Sequence, residues 1–355
     1  MSYTKLDPTD FVVSTDSITA PAWSSNQPTL STLFTASVAA TTAITQNAFY
    51  LNVYQTASTA AGAAIQFSIA YGHLYGSGSP YFNTLVPGVS PSLTTYRQYR
   101  TLVYGTELTS SNQGFNFGGT STNANDIWAI NVDRNRYKES LFPGTFNLQL
   151  TGPGGSTIQL TDNSNDVTTV TYLDCGRVFD IVNGANGKAN ATSFTGQTGI
   201  GRTSAGSYGF FLPDIGTIIL NPAALALPAT AGGIALTPNT ATNPNTLYYS
   251  VSNNLLYNAI SASRNFQLNS QESVSSDYVF VRIKNADYNY TTNPTIIEPT
   301  SGSLIYSTLV NSPQTYITTV GLYNTNNELL AVGKLSRPLL KDFTKEALIR
   351  VKLDW

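Results

Sequence analysis

One histidine, one cysteine and a scatter of carboxylates are the side chains in this sequence whose types could do chemistry. His73 is the sole imidazole, so any Ser-His or Cys-His nucleophile would have to use it as base. It sits in Tyr71-Gly-His-Leu-Tyr-Gly-Ser-Gly-Ser-Pro80, and no GxSxG elbow accompanies it anywhere in the chain. A solvated or hydrogen-bonded structural histidine is therefore the expectation. Cys175 follows Leu173-Asp174 and precedes Gly176-Arg177. Arg177 is placed to lower a thiol pKa, but a lone cysteine also serves as a small buried apolar group. With one Cys no intrachain disulfide can form, and one Cys with one His cannot assemble an ordinary zinc site.

Glycan-cleaving sites need two carboxyls about 5–9 Å apart. Asp126, Asp133, Asp174 and Asp180 are candidates, but their spacing does not pair them, and Asp180 also flanks the strand-like Ile181-Val182. Asp162-Asn-Ser-Asn-Asp166 offers oxygen ligands to a weak Ca²⁺ site, without the glycine and closing glutamate of a known loop type; a turn is the competing reading. Gly196-Gln-Thr-Gly-Ile-Gly-Arg-Thr203 approaches the phosphate-cradling GxxxxGK[ST] pattern, with Arg202 where lysine belongs. The next residues, Ser204-Ala-Gly-Ser-Tyr-Gly, make a poor helix, so a surface loop is expected. Asn190-Ala-Thr and Asn289-Tyr-Thr fit the glycosylation pattern and carry no weight without a secretory signal.

Basic residues gather at the end. Lys334, Arg337, Lys341, Lys345, Arg350 and Lys352 interleave with Glu328, Asp342, Glu346 and Asp354. Mixed signs argue against a cationic nucleic-acid stripe. A solvated, salt-bridged face is one reading; a docking surface that selects a partner by charge register is the other, favoured because charge is scarce elsewhere.

The elements that must position these groups are mainly strands. Ile349, Val351, Leu353 and Trp355 alternate with Arg350, Lys352 and Asp354, the pattern of a half-buried strand. Before it, Tyr316–Asn324 and Leu329–Leu335 flank the Asn-rich turn 324–328, a hairpin pattern, so the C-terminus is expected to form a three-stranded antiparallel meander. Further strands are expected at 10–13, around Leu51 and Val53, at 65–71, 127–132 and 146–150, with shorter ones at 167–173 and 216–220 and a strong one at 279–283. Ser90 and Pro91 would open a helix carrying Leu93, Tyr96, Arg97, Arg100 and Val103. A second helix spans 254–263, with Leu255, Leu256, Ala259 and Ile260 as its stripe; Asn221-Pro222 starts one or two helical turns, and 229–245 is a surface loop. These elements imply a mainly β fold with a few short helices and antiparallel sandwich-like domains. The expected divisions are an N-terminal arm (1–47), a β-rich domain with one helix (48–152), a Gly/Asn/Ser-rich subdomain or insertion (153–250) and a C-terminal β domain (251–355).

Gly321-Leu-Tyr-Asn, Leu329-Leu-Ala-Val and Lys334-Leu-Ser-Arg-Pro, closed by Ile-Arg-Val-Lys-Leu-Asp, resemble the C-terminal signature of structural proteins of T4-like tailed bacteriophages, closest to those of marine cyanobacterial phages. The YGHLYGSGS loop, the YRQYRTLVY helix, the INVDRNRYKESLFPGTFNLQL stretch and Tyr288-Asn-Tyr-Thr-Thr-Asn-Pro294 resemble the same family. The resemblance covers the first half and the last hundred residues better than the middle. It implies a virion protein of the contractile tail, most of all its baseplate, that works by protein–protein assembly in many copies with other tail and baseplate proteins. It brings no catalytic residues, metal or cofactor. Tyr323, Leu330, Lys334, Arg337, Pro338, Lys341, Arg350, Lys352 and Trp355 are the residues expected at the interface. The alternatives are an adhesion, fibre or head-decoration protein binding a host surface glycan, and a glycan depolymerase.

Bulk properties fit that picture. Charged residues are only 11% and the net charge is −2, so no global field draws nucleic acid or acidic lipid. Abundant Tyr, Thr, Asn and Ser suit surfaces packed on neighbours, and equally suit an ordinary β protein. No apolar run approaches the roughly 20 residues of a membrane span. The N-terminus lacks a signal-peptide core, so the expectation is a soluble chain made in the host cytoplasm and carried in the virion.

Overall fold

A computed structural model describes residues 4–23, 50–55, 60–76, 78, 92–105, 114–118, 123–191, 194, 199–238, 249–290 and 293–354. The strands are β1 (Phe11–Pro21), β2 (Leu51–Tyr54), β3 (Ile65–His73), β4 (Asp126–Val132), β5 (Ser140–Leu141), β6 (Asn147–Thr151), β7 (Thr157–Asp162), β8 (Thr171–Leu173), β9 (Gly176–Ala185) and β10 (Lys188–Ala189). They continue as β11 (Gly209–Leu212), β12 (Thr217–Leu220), β13 (Phe266–Gln267), β14 (Asn269–Ile283), β15 (Thr315–Tyr323), β16 (Leu329–Lys341) and β17 (Ala347–Asp354). The helices are α1 (Ser92–Tyr104), α2 (Pro222–Ala226), α3 (Tyr249–Ser263) and α4 (Thr308–Asn311). The fold is mainly β with large antiparallel sheets, as expected. Two compact units divide it: Ile18–Glu272, and Met1–Ser17 together with Ser273–Trp355.

The larger unit is built on one sheet of order β13-β6-β7-β9-β11-β12-β4-β3-β2, with β8 and β10 added to β9. Its middle strands are buried on both faces. Trp128, Ile130, Phe211, Ile218 and Leu220 join a core with Leu256 and Ile260 of α3 and Leu225 of α2. Ile127, Ala129, Phe210, Leu212 and Ile219 join a second core with Tyr96, Tyr99 and Val103 of α1. Two-sided burial is why these strands read as unbroken apolar runs rather than alternations. The sheet curls. Phe67 of β3 and Phe266 of β13 lie near opposite ends of the strand order, yet their ring centroids are 5.3 Å apart. Trp23 fills the seam, edge-on to Phe266 at 5.2 Å and tilted against Phe67 at 5.9 Å. Next to it the Ala22 N–H donates to Leu268 O.

The smaller unit is an open sheet, β1-β14-β17, and a separate hairpin, β15–β16. Val279, Val281 and Ile283 of β14 stand opposite Val351, Ile349 and Ala347 of β17, making one apolar face. Gly333 of the hairpin lies over that face; a Cβ placed there would sit 3.8 Å from Val351 Cγ1. Among the described residues, only Val279, Ile283 and Ile349 are fully buried apolar side chains in this unit.

Several expectations need correction. The three terminal strands are not one meander: β17 pairs with β14, and the hairpin stands apart. No boundary falls at 152/153, because β12 from the expected 153–250 segment lies hydrogen-bonded to β4 from the 48–152 segment. The 251–355 domain likewise divides, since α3 and β13 belong to the larger unit. Within 229–245, Ile234 and Leu236 are core residues rather than loop surface, and 239–245 lie outside the described residues. Of 167–173, only Thr171–Leu173 is strand. Most of the 1–47 arm lies outside the described residues, as do Ser90 and Pro91; the described part of the arm includes β1 and the buried Trp23. Asn221 does cap its helix, its Oδ1 accepting from Ala223 N–H at 3.1 Å.

Candidate interaction surface

The hairpin is turned by Asn324, whose Oδ1 accepts from the N–H groups of Asn326 and Glu328, both at 2.9 Å. Asn327 then takes φ +63°, a left-handed conformation that Asn tolerates better than most residues. One side of the ribbon, Ile317, Val320, Leu322, Ala331 and Leu335, is half-buried; Tyr316, Tyr323, Leu329, Leu330 and Val332 are exposed. Leu330 keeps 68% of its surface in solvent and Tyr316 65%. Apolar side chains so uncovered, clustered on one ribbon, mark an interaction surface more often than an accident of sequence.

The ladder breaks in the middle. Ile317 faces Leu339 and Thr319 faces Lys334, so Thr318 stands against Leu335, Ser336, Arg337 and Pro338. A bulge re-aims side chains and tolerates proline, which has no N–H to give a ladder. It leaves Lys334, Arg337 and Pro338 exposed beside the apolar group.

Lys341 is different. It is fully buried, and its ammonium donates to Asn289 Oδ1 at 2.7 Å and to the carbonyls of Asn285 and Asp342 at 2.9 Å each. It pins the end of β16 to the 285–289 turn and is not an interface residue. A lysine is compatible with this place only because three acceptors replace its water.

On the other face of the β14–β17 pair, Arg350 stacks over the Tyr278 ring at 5.5 Å, and Lys352 lies 5.9 Å from the same ring. Lys352 Nζ is 3.0 Å from Asp354 Oδ1 and 3.9 Å from Asp16 Oδ2. The Ser276 hydroxyl, and then Lys352, hold the Asp354 carboxyl below its usual range. Both cations are exposed, and Trp355 lies outside the described residues. The residues expected at an interface are thus dispersed: Tyr323, Leu330, Lys334, Arg337 and Pro338 lie on the hairpin, Arg350 and Lys352 on β17.

The residues with catalytic potential are engaged elsewhere. Arg177 does not activate Cys175. Its guanidinium grips Asp214, with Nη2 at 2.6 Å and Nε at 2.9 Å from Oδ1, while burial, Asp214 and Asp174 push the thiol pKa up. Asp180 is paired with Arg202, which draws that arginine out of any phosphate role; 196–198 of the glycine-rich run lie outside the described residues. Asp133 caps a short turn by accepting from Asn135 N–H at 2.9 Å. Asp162 is buried and accepts from Gly144 N–H at 2.9 and 3.0 Å and from Ser164 N–H, while Asp166 accepts from Ala189 N–H, the bonding of a turn. Among the described residues no three His, Cys, Asp or Glu side chains gather as metal ligands. His73 Nδ1 accepts from the Tyr75 N–H at 3.1 Å, and burial lowers its pKa.

Asp126 escapes that pattern. It stands across the ladder from His73, its Oδ2 accepts from the Tyr71 hydroxyl at 3.2 Å, and burial pushes its pKa up to about 6. By sequence it carries no more weight than the other aspartates, since its environment depends on the pairing of β3 with β4.

Among the described residues no helix is long and apolar enough to cross a membrane. No protein-family model, curated protein or solved structure matches the chain.

Proposed function

We propose that this chain is a non-catalytic structural protein of a tailed-phage virion, of the baseplate or the tail close to it, and that it works by being assembled with other tail proteins. The observation that carries the reading is the imbalance of the smaller unit. It buries three described apolar side chains completely while exposing Tyr316, Tyr323, Leu329, Leu330, Val332 and Leu348. A unit with so little core gains stability when a partner covers its surface, because anything that binds only the folded state shifts the folding equilibrium. The phage-tail resemblance rests in part on the same ribbon, and Arg337 and Lys334 flank the apolar group as selectors of partner charge. The occupied state of Asp180, Arg177 and Asp214 adds support for a structural rather than a hydrolytic role.

The test is binding of the purified chain to the other tail and baseplate proteins of the same particle. A specific interface buries on the order of 1,000 Å² or more. Leu330→Asp and Val332→Asp are expected to weaken binding by about tenfold or more, the loss typical of a central apolar interface residue. A chain that stays monomeric and binds none of those proteins would sink the reading.

A further inference from the structure

Every strand of the smaller unit but β14 leaves one edge unpaired among the described residues. Three of the four edges carry features that discourage pairing with another chain. β1 has Asp16; β17 has Arg350, Lys352 and Asp354; β16 has Lys334, Arg337 and Pro338. β15 has none. Thr315-Tyr-Ile-Thr-Thr-Val-Gly-Leu-Tyr323 contains no charge and no proline, and most of its residues are β-branched or aromatic. An edge of that composition is a template for a further strand.

We infer that β15 pairs edge to edge, antiparallel, with β15 of a second copy of this chain, about a two-fold axis at Gly321. The inference rests on the assembly reading of the same unit and names its partner at this edge. Past Thr318, every residue of β15 from Thr319 to Tyr323 has a partner on β16, the ladder's second irregularity being the extra Leu330 on β16, and the centre of that stretch is Gly321. In that register Val320 stands beside the second copy's Leu322, so the half-buried side of the ribbon continues across the axis. Thr319 stands beside the second copy's Tyr323. At the axis glycine meets glycine, leaving room for the Tyr323 ring, which already leans over Gly321: a Cβ added there would sit 2.9 Å from it. An isologous contact must be self-complementary, and an uncharged strand satisfies that condition without repulsion. The equivalent pairing of β17, centred on Val351, would set Arg350 against the second copy's Lys352, a like-charge pair directly opposed. The result for β15 is a four-stranded ribbon shared by two chains.

The experiment uses the full chain. Sedimentation is expected to show a concentration-dependent dimer. Residues opposed in a ladder have Cα atoms about 4.5–5.5 Å apart, within the disulfide range, so Gly321→Cys should give a disulfide-linked dimer under mild oxidation, and Tyr316→Cys, outside the regular stretch, should not. Gly321→Lys, which opposes two ammonium groups, should raise the dimer dissociation constant by about fivefold or more relative to Gly321→Ala, the control for a side chain at that place. A chain monomeric at all concentrations, or a dimer in which Gly321→Cys does not cross-link, overturns the inference. A monomer that still binds tail proteins removes self-pairing and leaves the assembly reading standing; a cross-linked dimer that binds none of them does the reverse.

Discussion

At the scale of single residues, Lys341 and Asp126 show how little a residue's type says about its duty. Lys341 satisfies Asn289, Asn285 and Asp342 from inside the smaller unit. Lys341→Ala takes the ammonium from three acceptors, of which Asn285 O keeps the Asn289 Nδ2 N–H, and is expected to cost about 3 kcal/mol, read by chemical denaturation. Asp126 has its folded pKa raised to about 6 from 3.8, because burial disfavours its charge more than the Tyr71 hydroxyl favours it. A raised folded pKa means that the folded state holds its proton where the unfolded state has released it. The stabilisation is complete below pH 3.8 and is lost as pH rises through about 6. Over that window the wild type should lose on the order of 3 kcal/mol that Asp126→Asn does not lose, measured by denaturation at several pH values.

At the scale of elements, α1 lies so close to the sheet that no side chain fits at Gly72. A Cβ there would be 2.8 Å from both the N and Cα of Tyr96. The opposing atoms are helix backbone, so Gly72→Ala must lift the helix and should cost about 1–3 kcal/mol, seen as a lower melting temperature. The helix itself was legible: Tyr96, Arg100 and Val103 repeat at helical spacing and are buried as that spacing requires. So was β17, where Ile349, Val351 and Leu353 face one way. What alternation could not reveal was the neighbour. A period of two assigns faces and is silent on which strand lies alongside, so β17 was expected beside the hairpin and lies beside β14. Lys341 was not legible, because the bulge at Leu335–Pro338 carries the strand on through a stretch that reads as charged connection.

At the scale of the whole molecule, the two units differ in how much apolar surface they bury. The larger has two cores, one on each face of its sheet. The smaller has three fully buried apolar side chains among its described residues and depends on polar pins such as Lys341. Calorimetry should therefore resolve two transitions, with the smaller unit melting first and Lys341→Ala lowering that one alone. A single transition shifted as a whole would show instead that the units unfold together.

The seam at Trp23 carries a consequence for how the chain is made. The indole is set by Phe67 and Phe266, and the second of these is synthesised long after the first. During translation the tryptophan has half of its aromatic cradle and waits for the other half until the chain has been made as far as Phe266. Closure between such distant segments is slow, so the seam is expected to be among the last parts of the larger unit to close.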